Sequence, residues 1–140
     1  MRARSLLTSS LASAILASAI LVGGCHKKPT EGGVRLAQVS EAFGAAGLHT
    51  DQFQPTDPAR FNAQKCVAGT LEGVETVVCE YGSPDALALG KKAGEQWAAS
   101  ATTAAVLGNG RTLLAVADRA HSDPNGKTIH KITQAFSKTR

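Results

Sequence analysis

The most regular hydrophobic pattern in the chain is a pair of strand-like runs separated by a turn signal. Residues 66–71 and 74–79 are rich in Val, Thr and other strand-forming residues, and they flank Glu72-Gly73. An X-Gly pair between two such runs is typical of a two-residue hairpin turn. The pattern therefore predicts an antiparallel hairpin.

A second hairpin signal follows further along the chain. Residues 102–107 and 112–117 are almost entirely apolar or Thr, and Gly108-Asn109-Gly110-Arg111 separates them. Asn-Gly between apolar runs strongly favours a hairpin. We predict a buried strand at 112–117, whereas 102–107 is either its partner strand or a continuation of the preceding helix.

Three other segments repeat apolar residues at intervals of three and four, which is one face of an α-helix. The first spans residues 34–47, the second opens at the helix-start signal Ser83-Pro84-Asp85, and the third follows residues 122–126. The repeated positions are Leu36, Val39 and Phe43; Leu89, Ala93 and Trp97; and Ile129, Ile132 and Phe136.

The order of these elements is a helix followed twice by strand, strand and helix. It predicts one α+β domain over residues 34–140, with an antiparallel sheet of three to four strands and the helices on one face. Residues 48–65 contain two prolines and two aspartates, and we predict a long, mostly irregular connection there.

The N-terminus has the layout of an export signal. A basic head at residues 1–4 precedes an uncharged run at residues 6–22. A permanent transmembrane helix is the alternative, but such a helix needs about 20 strongly apolar residues, and this run is short and rich in Ser.

The segment Leu21-Val22-Gly23-Gly24-Cys25 resembles the lipobox of bacterial lipoprotein precursors. The resemblance implies that residues 1–24 are cleaved off and that Cys25 carries lipid. An ordinary signal that happens to precede a cysteine is the alternative. His26, rather than Asp, follows the cysteine and favours the outer membrane, facing the periplasm. Residues 25–33 contain a proline and two glycines and form a tether.

The charge balance changes once the signal is removed. The 140 residues include 15 Lys and Arg and 11 Asp and Glu, a net charge of +4. Loss of Arg2 and Arg4 leaves 13 basic residues and a net charge of +2. This near-neutral charge and the exported location argue against a nucleic-acid partner.

The other two cysteines, Cys66 and Cys79, meet in the first hairpin. If Leu71 pairs with Val74, the register places Cys66 directly opposite Cys79, with Cα atoms about 4.5 Å apart. An oxidising compartment favours a disulfide. A redox pair would have C-x-x-C spacing, and a zinc site with His121 and His130 would match no standard module.

The last segment is basic, with no acid after Asp123. The pattern favours a merely solvated helix face and tail; contact with an anionic surface such as lipid headgroups is the alternative. Its basic residues are Lys127, Lys131, Lys138 and Arg140.

Motifs for catalysis or cofactor binding are missing from the sequence. It contains neither G-x-S-x-G nor H-E-x-x-H, and Gly126-Lys127-Thr128 lacks the first glycine of a phosphate loop because position 121 is His. We therefore predict a non-catalytic envelope lipoprotein, without cofactor, that binds an envelope protein or ligand. The alternative is a small periplasmic hydrolase or metal-dependent enzyme that uses Asp118, His121 and Ser122.

Overall fold

The computed structural model describes residues 35–139. Within this part of the chain, helices alternate with hairpins in the predicted order, and one short extra strand precedes the first hairpin. The elements are α1 (Leu36–Ala45), β1 (Gln54–Thr56), a single 3-10 turn (Ala59–Phe61), β2 (Lys65–Leu71), β3 (Val74–Glu80), α2 (Pro84–Ala98), β4 (Thr103–Asn109), β5 (Thr112–Asp118) and α3 (Lys127–Ser137).

All neighbouring strands are antiparallel, in the order β1-β2-β3-β5-β4. The α+β class is confirmed, but the sheet has five strands, and the segment predicted as irregular supplies the fifth. This strand, β1, has three residues, includes Pro55 and pairs with Cys66, Val67 and Ala68. A strand this short carries no alternating pattern, so its pairing with β2 could not be anticipated from the sequence.

The first hairpin has the predicted register. Leu71 pairs with Val74, and Cys66 pairs with Cys79. Glu72 and Gly73 both have positive φ, 50° and 86°. Positive φ at both central positions is the signature of a type I′ turn, whose twist matches that of the flanking strands.

The second hairpin resolves the open alternative at residues 102–107: this segment forms a strand from Thr103 onward and no helix. Asn109 pairs with Thr112, so the turn consists of Gly110 and Arg111, one residue later than Asn-Gly would place it. Only Gly110 of these two has positive φ, 60°. This pattern belongs to a type II′ turn, which favours glycine at its first central position.

The helices cover both faces of the sheet, which corrects the predicted arrangement with all helices on one face. Helices α1 and α3 pack on the face that carries Val78 and Leu114. Helix α2 packs on the opposite face, which carries Val77 and Leu113. The physical reason lies in β5: every one of its residues is buried, so both of its sides need cover.

Helix α2 approaches the sheet through its small residues. Gly90 and Gly94 are buried, whereas the larger Leu89 is 57% exposed. A Cβ atom at Gly90 would lie 2.1 Å from Oη of Tyr81, and one at Gly94 would lie 3.1 Å from Cγ1 of Val106. Ser83 begins the helix by accepting the backbone N–H of Ala86 at 3.1 Å.

Helix α3 buries the predicted stripe of Ile129, Ile132 and Phe136. Asn109 in β4 fixes its far end by donating hydrogen bonds to the carbonyl oxygens of Phe136, at 3.1 Å, and Thr139, at 2.8 Å. The turn end of the edge hairpin is thereby tied to the helix that carries the predicted basic residues.

Candidate functional site

The two hairpin cysteines form the expected disulfide. Cys66 and Cys79 are joined across the β2–β3 pair, with Cα atoms 4.1 Å apart, and both residues are buried. Because each sulfur is bonded to the other, neither is available as a zinc ligand beside His121 or His130. Within residues 35–139, no group of three or more His, Cys, Asp and Glu side chains is arranged to hold a metal ion.

The three candidate catalytic residues do not converge. Asp118 is buried, and its two carboxylate oxygens accept the backbone N–H groups of Ser122 and Asp123, both at 2.9 Å. His121 is exposed, and its Nδ1 lies 3.3 Å from Oγ1 of Thr102. A nucleophile, base and carboxylate need successive hydrogen bonds, and these side chains point to other partners.

Asp123 instead stabilises the start of α3. Its carboxylate accepts the backbone N–H of Ile129 at 2.8 Å. Burial by itself raises the pKa of Asp123, but the backbone N–H groups of Ile129, Thr128 and Lys127 and the Thr128 hydroxyl outweigh it and hold that pKa below its ordinary value. The two buried aspartates therefore orient the loop and the helix that follows.

The lysines of α3 lie along one stripe of that helix. Lys127, Lys131 and Lys138 are exposed, and Gln134 continues the same row at helical spacing. The fourth predicted basic residue, Arg140, and the predicted lipidation site, Cys25, lie outside the described residues.

A groove runs between this stripe and α1. Its volume is about 440 Å³. Lys131 reaches across one end, where its Nζ lies 3.4 Å from the carbonyl oxygen of Gly47. Methyl groups make most of the remaining surface, so the groove is apolar with a cationic rim. Its lining residues are Ala42, Ala45, Ala46, Lys131, Gln134, Ala135 and Lys138.

The described chain enters the domain in this same helical layer. Arg35 is exposed and immediately precedes α1, where the N–H of Leu36 donates to Oε1 of Glu80 at 2.6 Å. Helices α1 and α3 contain a single acidic residue, Glu41. We call the exposed set Lys127, Lys131 and Lys138 the basic face.

Sequence reasoning missed this groove. Ala45 and Ala46 were visible as small residues after Phe43, but their sequence does not reveal what lies opposite them. They line a groove with α3 only because α1 and α3 share one face of the sheet.

The α2 face presents a different kind of surface. Arg119 stacks over the Trp97 ring at 4.6 Å, pairs with Glu75 and donates to Oγ of Ser100 at 3.2 Å. Its guanidinium is therefore already engaged by an aromatic ring, a carboxylate and a hydroxyl.

No protein family, curated protein or solved structure matches this chain. Among residues 35–139, none of the helices combines the length and the apolar character that crossing a bilayer requires.

Proposed function

We propose that this chain is a lipid-anchored protein of the bacterial cell envelope that acts by binding, with its basic face on the membrane that carries the anchor. The observation that carries the proposal is the coincidence of two features in one layer. The chain enters the domain at Arg35, and the exposed lysines of α3 lie beside α1 in the same layer.

The anchor follows from the resemblance of residues 21–25 to a lipobox. Lipid on Cys25 would supply membrane affinity of about 0.8 kcal/mol for each buried CH₂ group. Residues 26–34 then span at most about 30 Å, at roughly 3.3 Å per residue, so the domain stays close to the bilayer. His26 after the lipidated cysteine favours the outer membrane, with the domain in the periplasm.

The basic face adds an electrostatic contact to this anchor. Each Lys or Arg close to an anionic surface contributes about 1 kcal/mol at physiological ionic strength. The apolar groove suits the same role, because lysine stems lie along methyl groups while their ammonium groups reach the headgroups. The α2 face and the edge of the sheet are then not covered by the membrane and remain accessible to envelope partners.

A binding role fits the described residues better than hydrolysis. Backbone amides already occupy both oxygens of Asp118, and His121 contacts Thr102 instead. No contact among these residues activates Ser122 as a nucleophile. The arrangement of these side chains therefore does not support the hydrolase alternative.

Vesicle binding tests the proposal. The full chain carrying Lys127→Gln, Lys131→Gln and Lys138→Gln is compared with the parent chain, both as purified lipoprotein, for flotation with neutral and with anionic phospholipid vesicles. We expect equal binding to neutral vesicles and, for the triple variant, weaker and less salt-sensitive binding to anionic ones.

The matched control removes positive charge from the opposite layer. Arg60→Gln with Lys92→Gln alters two exposed basic residues on the α2 side of the sheet and should leave binding to anionic vesicles close to that of the parent. Equal losses in the two variants would show that net charge alone matters, and would overturn the assignment of the basic face.

A further inference from the structure

The edge strand β4 is unprotected. It is the last strand of the sheet, has seven residues and contains neither a charged residue nor proline. The opposite edge, β1, has three residues and includes Pro55, which cannot donate to a neighbouring strand. Proteins commonly protect exposed edges with charge, proline or shortening, and only β1 shows such protection.

The register of the hairpin shows which groups of β4 face outward. A two-residue turn makes Asn109 and Thr112 a hydrogen-bonded pair, and such pairs alternate along the ladder. The odd-numbered residues of β4 therefore bond to β5. The N–H and C=O groups of Ala104, Val106 and Gly108 point away from the sheet.

We propose that β4 pairs antiparallel with β4 of a second copy of this chain. The two copies are related by a two-fold axis that is perpendicular to the sheet and passes midway between the two Val106 residues. In this register Val106 lies opposite the partner's Val106, and Ala104 lies opposite the partner's Gly108. Every outward N–H and C=O group then meets a complementary group, and the two five-stranded sheets become one.

The proposed two-fold axis also brings together opposite charges on the helix beside β4. Lys91 and Glu95 of α2 line a groove of about 340 Å³ next to Ala104 and Val106. Both are exposed, and neither forms an ion pair with another described residue. One helical turn separates them, about 6 Å along the axis of α2.

The direction of α2 decides how these charges meet. Leu87 lies against Gly108, and Gly94 lies against Val106, so α2 runs antiparallel to β4. A two-fold axis at Val106 reverses this order in the second copy. Lys91 therefore faces the partner's Glu95, and Glu95 faces the partner's Lys91. A neutral peptide at this edge would leave both charges without partners, which is why we assign the edge to a second copy.

The pairing is independent of the proposed membrane role but compatible with it. A two-fold axis perpendicular to the sheet keeps the α1–α3 layers of both copies on the same side. Both basic faces, and the points at which the two chains enter their domains, then face the same membrane. Confinement of two anchored chains to one surface raises their effective concentration and favours pairing.

Site-directed disulfide formation tests the register in the full chain. In the proposed pair, the two Val106 Cα atoms are about 5.5 Å apart, within the range of a disulfide. The two Leu107 Cα atoms are about 8 Å apart, beyond that range, because each lies opposite the partner's Ala105. Val106→Cys should give a covalent dimer on mild oxidation, and Leu107→Cys, one residue away, should not.

A charge exchange tests the same interface without altering the strand. Lys91→Glu and Glu95→Lys should each weaken dimerisation of the lipoprotein in detergent about tenfold, because two ion pairs become like-charge contacts. The double variant should restore dimerisation, since the charges remain complementary.

Three outcomes would overturn the proposal. These are equal crosslinking of the two cysteine variants, adducts of Val106→Cys only with other envelope proteins, and a double charge variant no better than the single ones. None of these measurements depends on membrane composition, so a failure here is distinguishable from a failure of the basic face to bind anionic vesicles.

Discussion

Asp118 and Asp123 act in series to connect β5 to α3. The carboxylate of Asp118 accepts the backbone N–H of Asp123, and the carboxylate of Asp123 accepts the N–H of Ile129. Asp118 belongs to the strand, Asp123 to the loop and Ile129 to the helix. Two buried carboxylates thereby fix the orientation of α3 and of the lysines that it displays.

We expect Asp123→Ala to lower the free energy of unfolding by about 1–2 kcal/mol, because the first N–H groups of α3 lose their acceptor. Urea denaturation of the purified chain measures this. Asp51→Ala is a suitable control, since Asp51 is exposed and surface changes of this kind stay within about 0.5 kcal/mol. A similar loss in the two variants would contradict the capping role of Asp123.

The same carboxylate predicts how stability depends on pH. The pKa of Asp123 lies below its ordinary value of 3.8, so its contribution is complete above that value and is lost as pH falls through the lower, folded-state pKa. The stability difference between the parent and Asp123→Asn should therefore be largest near neutral pH and shrink in acid. Urea titrations of both proteins from pH 7 to about pH 3 measure it, and a difference that grows in acid would contradict the assignment.

The disulfide should contribute substantially to a domain of this size. Cys66 and Cys79 are 13 positions apart, and a closed loop of this length stabilises a fold by about 3 kcal/mol in the chain-entropy model. The double variant Cys66→Ala, Cys79→Ala should lose stability on this scale. Reductant should destabilise the parent but not the variant, and insensitivity of the parent to reductant would contradict the expectation.

Two helical glycines should respond in opposite directions to alanine. Gly90→Ala places a methyl group against the Tyr81 ring, whose hydroxyl donates to the Phe61 carbonyl at 2.9 Å. We expect a loss of about 1–3 kcal/mol from overpacking. Gly44→Ala meets nothing within 4 Å and should stabilise α1 by about 0.5–1 kcal/mol. Thermal unfolding compares them, and a stabilised Gly90→Ala would show that α2 can move away from the sheet.

The proposed anchor depends on one thiol. In a bacterial host, labelled palmitate should enter the parent chain, and Cys25→Ala should abolish incorporation and release the domain from the membrane fraction. Cys66→Ala with Cys79→Ala keeps Cys25 and should retain the label. Labelling of the Cys25→Ala chain would contradict the lipobox.

The sequence anticipated most of the local structure. Both hairpins, the cysteine register, the Ser83 cap and the buried stripe of α3 depend on residues close together in the chain, so periodicity and turn chemistry reveal them. The missed strand β1 has only three residues, and what makes it a strand is pairing with residues 66–68. The residues named for the hydrolase alternative lie close together in sequence, but closeness in sequence does not determine where their side chains point.

By itself, the sequence determined the α+β class, the hairpin register and the positions of the lysines along α3, because each follows from turn chemistry or repeat spacing. Only the tertiary structure decided that α2 and α3 lie on opposite faces, that Asp118 holds a loop and that the alanines of α1 form a groove with α3. These features depend on which apolar faces pack together. Every residue of β5 is buried, so both sides of this strand need cover, and the sheet order then determined which side chains became neighbours.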